Sequence, residues 1–172
     1  MAQSMFGYGV SVGEYQVNDP DGQTQPTSDD SIVHILYMNQ MSRDKRWYAE
    51  YYQITVEYEA QANYIGQEVK TKGVNLAFQK RFSFTRSIRP WFGFGVNLTS
   101  NEFTKRHTVD EDGYLVQSYD DRSDETLSLL IDAAFDIDLT DDLSLDVRLQ
   151  HTEPFSDSVI SNTITFILFY DI

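Results

Sequence analysis

Apolar and polar residues alternate with a period of two along most of the chain. Between Glu125 and Leu139 the odd positions carry Leu127, Leu129, Ile131, Ala133, Phe135, Ile137 and Leu139. The even positions carry Thr126, Ser128, Leu130, Asp132, Ala134, Asp136 and Asp138. Leu143, Leu145, Val147 and Leu149 then alternate with Ser144, Asp146, Arg148 and Gln150. A helix would spread these charges around its circumference, whereas a strand sends alternate side chains to opposite faces. The same rhythm runs through Phe6 to Val12, Tyr52 to Tyr58, Val74 to Phe78, Phe92 to Leu98 and Ile164 to Ile172. Only 31–41 is ambiguous, because both of its faces are largely apolar. The pattern predicts eight strands, over about 5–16, 31–41, 47–59, 69–82, 90–104, 123–139, 143–152 and 159–171, and no helix.

The connections alternate in length. Residues 42–46, 83–89 and 140–142 make one set of short turns. Residues 17–30, 60–68, 105–122 and 153–158 make a second set, mostly longer and more polar. In an up-and-down meander, alternate connections share an end, so one end is tight and the other carries the loops. Asp112-Gly113 is a hairpin turn signal inside the 105–122 connection, and predicts a hairpin rising above the strands there.

Eight antiparallel strands of this length close into a barrel, which removes the exposed edges of the sheet. Two barrels fit the count. A lipocalin-like barrel keeps its apolar face inside; an outer-membrane barrel turns that face to lipid and keeps a polar interior. Three features favour the membrane barrel. The polar face is built of small or mutually complementary residues, including Gly7, Gly9, Gly93, Gly95, Asp132, Asp136, Asp146 and Arg148. Aromatic residues gather near predicted strand ends, as interfacial girdles do, among them Tyr8, Trp47, Tyr48, Tyr58, Phe82, Trp91, Phe92, Phe103, Phe155 and Tyr170. The final strand, from Ile164 to Ile172, alternates to its last residue. Leu129, Val147, Phe166 and Leu168 are then expected to face lipid. Asp132, Asp136, Asp146 and Arg148 are expected to form a charge network in the lumen. One Arg leaves the balance against three Asp incomplete, so another base, such as Arg81 on the inward parity of the fourth strand, or water is expected to help.

The whole chain resembles the small bacterial outer-membrane barrels of the OmpX-, OmpA- and OmpW-like superfamily. The segment Arg89-Pro90-Trp91-Phe92-Gly93-Phe94-Gly95-Val96 is similar to a strand common in that group. The alternating C-terminus resembles its C-terminal signal, with Ile172 where Phe or Trp is usual. The resemblance implies a single eight-stranded barrel over residues 1–172 in the outer membrane of a Gram-negative cell. Its implied partners are outer-membrane lipid and lipopolysaccharide, with a protein partner reached through the loops. Met1-Ala2-Gln3-Ser4 reads as an initiator methionine placed before a mature secreted N-terminus.

Composition narrows the chemistry. The 172 residues hold 27 acids against 13 bases, a net charge of −14, which disfavours nucleic acid. There is no cysteine, hence no disulfide, thiolate metal site or cysteine nucleophile. His34, His107 and His151 lie far apart in sequence, and no cofactor motif is present. Carboxylates cluster at Asp19, Asp21, Asp29 and Asp30, but without EF-hand spacing. Their reading is an acidic turn that bridges divalent cations to lipopolysaccharide phosphates only loosely.

The most pointed catalytic candidate is Arg148-Leu149-Gln150-His151-Thr152-Glu153. It resembles the R-x-x-H-x-S motif of PagL-like lipid A deacylase barrels, whose His and Ser act on the lipid-facing surface. The resemblance implies His151 as a base. The serine position is Glu153 here, and Ser156 and Ser158 do not hold the spacing. Without a nucleophile the relay fails. The expected function is therefore a non-enzymatic outer-membrane barrel with acidic outer loops, in a structural, adhesive or partner-binding role. The alternatives are a narrow OmpW-like channel for small solutes and a deacylase relative that has lost its serine.

Overall fold

The structure is a computed structural model that describes residues 3–17, 32–62, 64–83, 90–154 and 159–172. The described residues form nine strands in chain order: β1 (Gln3–Val17), β2 (Ile32–Ser42), β3 (Lys45–Tyr58), β4 (Gly66–Arg81), β5 (Trp91–Val109), β6 (Leu115–Ser118), β7 (Arg122–Asp138), β8 (Leu143–Pro154) and β9 (Val159–Asp171). Eight of them are the staves of a closed antiparallel barrel, ordered β1-β2-β3-β4-β5-β7-β8-β9 and back to β1. Among the described residues no segment is helical. Every neighbouring pair is antiparallel and, β6 apart, sequential, as a meander requires. Closure rests on β1 and β9, whose ladder runs from Met5↔Asp171 to Val17↔Val159.

The ninth strand is short and lies above the wall. β6 pairs only with the end of β5, through His107↔Ser118, Thr108↔Gln117 and Val109↔Leu115. Its turn is tied by the Asp110 carboxylate, which accepts from the backbone N–H groups of Asp112 (3.0 Å) and Tyr114 (2.8 Å). Below this hairpin the β5 parity shifts. Lys105 takes a φ of 55°, opposite the irregularity at Gly66/Glu68. As a result Phe103 and Arg106 both point inward, although three residues apart. Arg106 then braces the hairpin, donating to the Asp120 carbonyl (3.1 Å) and to Gln67 (3.1 Å). Lys105 turns outward onto Glu68, a hydrogen bond that raises its pKa above the ordinary lysine value.

At the opposite end the connections are tight. Ser42 donates to Asp44 (2.8 Å) and holds that carboxyl below its usual range. The Leu139–Leu143 turn closes with two backbone bonds, from Leu139 and Thr140 to the Leu143 carbonyl.

The burial pattern assigns the two faces. Phe6, Tyr8, Val10 and Val12 on β1, Phe92, Phe94, Val96 and Leu98 on β5, and Leu127 to Ile137 on the odd positions of β7 stand on the outside, mostly exposed. The buried polar residues are almost all on the inward parity, from Ser11 and His34 to Thr165. The interior is not uniformly polar. Ile32, Tyr52, Ile54, Val69 and Phe103 form an apolar layer toward the loop end. Met5, Leu36, Met38, Tyr48, Leu130, Ile167 and Phe169 form another against β1, β2 and β9. Three aromatics expected in the outer girdle belong to this interior: Tyr48, Trp91 and Phe103 are fully buried. Their parity overrides their position near a strand end. Tyr58 also packs against the inner layer rather than standing outside. Tyr8, Trp47, Phe82, Phe92 and Tyr170 do stand on the outside.

Candidate functional site

The lumen gathers most of the buried charge. On β7 the inward positions bring Asp132, Ala134 and Asp136 into a column, and on β8 they bring Asp146, Arg148 and Gln150. Across the bore β3 supplies Arg46, Tyr48 and Glu50 on its own inward parity. The barrel closes these two walls onto each other.

At the tight-turn end, Trp91 lies between two guanidinium groups, with Arg46 Cζ and Arg81 Cζ each 4.2 Å from its ring centre. Asp136 collects all three. It accepts from Arg46 Nη1 (2.7 Å), Arg81 Nη2 (2.8 Å) and Trp91 Nε1 (2.5 Å). Arg46 reaches on to Asp146 Oδ2 (2.7 Å) and Gln79 Oε1 (2.5 Å). The three charge-assisted contacts of Asp136 are of the strong kind, and Arg46 spans two carboxylates with its planar fork. A basin of about 290 Å³ opens at this end, and Arg46, Arg81 and Asp136 are among the residues that line it.

In the middle of the bore Arg148 is fully buried and sits 3.9 Å from the Tyr48 ring centre. Its Nη2 approaches Asp146 Oδ1 at 3.1 Å and its Nη1 approaches Glu50 Oε2 at 3.7 Å. Neither approach has hydrogen-bond alignment, so this guanidinium is held by charge and by the aromatic face. Asp132 is held by neutral donors, Tyr48 Oη (2.7 Å) and Gln79 Nε2. Glu50 accepts from Asn75 and Gln150, each at 3.0 Å, and touches His34 Nδ1. Above this, Asn97 donates to Tyr52 Oη (2.8 Å) and Asn75 Oδ1 (2.6 Å). The inventory is three guanidinium groups, Arg46, Arg81 and Arg148, against the carboxylates Glu50, Asp132, Asp136 and Asp146.

The four lumen residues singled out from the sequence therefore lie on the inward face of adjoining strands, and Arg81 does meet Asp136. Arg46, Glu50, His34, Tyr48, Gln79 and Trp91 were missed. A signal was available: Arg46 and Glu50 share the parity of Tyr48 and Tyr52, and a charged pair on that parity marks it as the inner face.

His34 brings a second arrangement. Its Nε2 lies 2.7 Å from Ser11 Oγ while its Nδ1 touches Glu50. The atom order is that of a hydrolase relay. Ser11 is nevertheless 0% exposed, and the Glu50 contact lacks hydrogen-bond alignment. Substrate has no approach to that hydroxyl.

His151 is on the outer wall, half-buried, with Nδ1 2.7 Å from Asn162 Oδ1. Glu153 is exposed on the same parity. Leu129, Phe166 and Leu168 project outward and are exposed, and Val147 projects outward half-buried. The acidic loop residues Asp19, Asp21, Asp29 and Asp30, and Phe155, Ser156 and Ser158, lie outside the described residues. Among the described residues no cluster of three or more His, Cys, Asp or Glu is arranged to hold a metal ion.

No family model matches the chain, and no curated protein sequence matches it. Solved structures do. Ail, the attachment invasion locus protein of Yersinia pestis, crystallised with the heparin analogue sucrose octasulfate, superposes with a TM-score of 0.63 at 13% identity, covering 99% of both chains. Neisserial surface protein A superposes with a TM-score of 0.64 at 12% identity, covering 97% of both. The outer membrane protein OprG of Pseudomonas aeruginosa gives 0.60 at 12% identity, over 99% of this chain and 95% of that one. At such identities the likeness is one of backbone, and it shows that this chain has the fold of the small eight-stranded outer-membrane β-barrels.

Proposed function

We propose that the protein spans the outer membrane of a Gram-negative bacterium as a sealed β-barrel without catalytic activity. Its acidic loop end then serves a structural, adhesive or partner-binding role at the cell surface. One observation carries the reading: each of the eight barrel strands presents exposed apolar side chains on its outward face while the bore is crossed by paired charges. Leu129, Val147, Phe166 and Leu168 face lipid in this reading. Asp132, Asp136, Asp146 and Arg148, with Arg46 and Arg81, act as a plug. A buried charge needs a partner; Arg46 and Arg81 supply it to Asp136 and Asp146 at the tight-turn end, and at mid-height Arg148 faces Glu50 across the bore and Asp146 on its own strand. The apolar layer of Ile32, Ile54, Val69 and Phe103 supports closure toward the loops.

The β5–β6 hairpin is the described part of the surface best suited to a partner. It exposes Tyr114, Leu115 and Val116 beside Asp110, Glu111 and Asp112. Ail was crystallised with a sulfated polyanion. Here the net charge of −14 and the acidic hairpin favour a partner with basic and apolar groups instead. The second reading is an OmpW-like channel, and the charged bore opposes it. Planar-bilayer recording separates them. The sealed barrel gives no steady conductance, while reproducible single-channel steps from the wild-type protein would establish the channel. Heat-dependent gel mobility in detergent, scored independently, reports whether the chain is a membrane barrel at all.

A further inference from the structure

At the tight-turn end the outward face carries two lysines side by side. Lys45 on β3 and Lys80 on β4 are ladder partners, and both are exposed. Like charges in facing positions of a sheet repel. Neither lysine has an ion-pair partner among the described residues. Asp44 in the adjoining turn feels both charges, yet its carboxylate is bonded to the Ser42 hydroxyl. Arg43 in the same turn adds a further exposed cation. The 83–89 connection that follows β4 has two arginines and no acid in its sequence. Across the barrel the β7–β8 turn holds Asp141 and Asp142 and no base. Positive charge is thus gathered on one side of this end, in a chain whose net charge is −14.

The next outward row toward mid-barrel is aromatic. Trp47 on β3 faces Phe78 on β4, and Phe78 faces Phe94 on β5 with ring centres 6.5 Å apart. In the lysine row itself Lys80 faces Phe92, and its Nζ lies 5.5 Å from the Phe82 ring centre. Aromatic side chains mark the boundary between hydrocarbon and headgroups on a membrane barrel. The lysines therefore stand at headgroup depth. Short turns of outer-membrane barrels are periplasmic, which puts this row in the inner leaflet, away from lipopolysaccharide.

We propose that Lys45 and Lys80 together bind the phosphate of an anionic phospholipid in the inner leaflet, with its acyl part over Trp47, Phe78 and Phe94. A phosphate between two ammonium groups replaces their repulsion with two charge-assisted contacts. Basic groups at a membrane surface attract anionic lipid in this way. The aromatic row offers the acyl part a surface that a free phosphate ion has no use for. A phosphatidylethanolamine headgroup brings its own ammonium up to the lysines. Phosphatidylglycerol carries no amine, so the pair selects it. The inference rests on the membrane-spanning reading and does not depend on whether the bore conducts.

The test uses the whole barrel, folded into bilayers of phosphatidylethanolamine and phosphatidylglycerol in equal amounts. Lipid retained after detergent extraction is read by native mass spectrometry. The wild type should retain phosphatidylglycerol in preference to phosphatidylethanolamine. Lys45→Gln and Lys80→Gln should each lower that preference about five- to tenfold. The double variant should lose little more, because one phosphate needs both lysines. Arg43→Gln removes the same charge from the turn beside the pair and should leave the preference nearly unchanged. Equal losses for all three single variants would mean diffuse attraction to a basic rim, and would overturn the proposal, as would a wild type without preference. Release of the retained lipid by inorganic phosphate would assign the pair to the free anion and overturn it too. Heat-dependent gel mobility on the same samples reports folding. A barrel that passes it and shows no lipid preference refutes this inference alone.

Discussion

Gly93 and Asp132 face each other across the β5–β7 ladder, and a Cβ on Gly93 would lie 2.6 Å from Oδ1 of Asp132. The missing side chain is what lets the carboxylate lie flat against the wall. From there it receives the Tyr48 hydroxyl and the Gln79 amide. Gly93→Ala should therefore displace Asp132 and cost about 1–3 kcal/mol, the usual range for overpacking. Urea unfolding of the barrel in phospholipid bilayers measures it. An unchanged midpoint would mean that Asp132 is not held where these contacts place it.

Arg148 is the central cation of the bore. Arg148→Ala would leave Asp146 and Glu50 buried with one positive neighbour fewer, and should cost about 3–5 kcal/mol. Unfolding equilibria of the wild type and variant in the same bilayers give the comparison. Equal stabilities would remove the plug from the account of this barrel.

Depth on the outer wall is testable by charge. Val147→Arg should destabilise by about 2–4 kcal/mol if Val147 lies at mid-membrane. Ser100→Arg, at the upper limit of the apolar stretch of β5, should cost only about 0–1 kcal/mol. Similar costs at both positions would argue that the outward face meets water and not lipid.

Neither histidine with a relay-like neighbourhood should support hydrolysis. His151 has Glu153 where a serine would be needed, and Ser11 beside His34 is closed off from substrate. Lipid A from cells expressing the protein should keep its full acyl complement by mass spectrometry, and a fluorophosphonate probe should leave Ser11 unlabelled. Loss of one acyl chain that His151→Ala abolishes, or labelling that Ser11→Ala abolishes, would establish an enzyme.

The alternation of apolar and polar residues is a local property, and it alone determined the strand count of the barrel, the parity of β7, β8 and β9, and the common face of Asp132, Asp136, Asp146 and Arg148. Side chains two apart in a strand share a face whatever the rest of the chain does. The hairpin at Asp112-Gly113 was legible for the same reason, since turn chemistry is carried by adjacent residues.

Which residues meet across the bore was decided only by closure of the barrel. Arg46 is 90 residues from Asp136 and 100 from Asp146, and no local pattern links them. Tyr48, Trp91 and Phe103 have the composition and position of girdle residues, yet the parity they share with Glu50, Gly93 and Asn101 sends them inward. Ile167 and Phe169 break the polar face of β9. They fit because Gly7 and Gly9 lie directly opposite, where a Cβ on Gly7 would come within 2.6 Å of the Phe169 ring. A bore this narrow is filled by large side chains of one strand reaching over small ones of another, and that complementarity exists only once the walls are brought together.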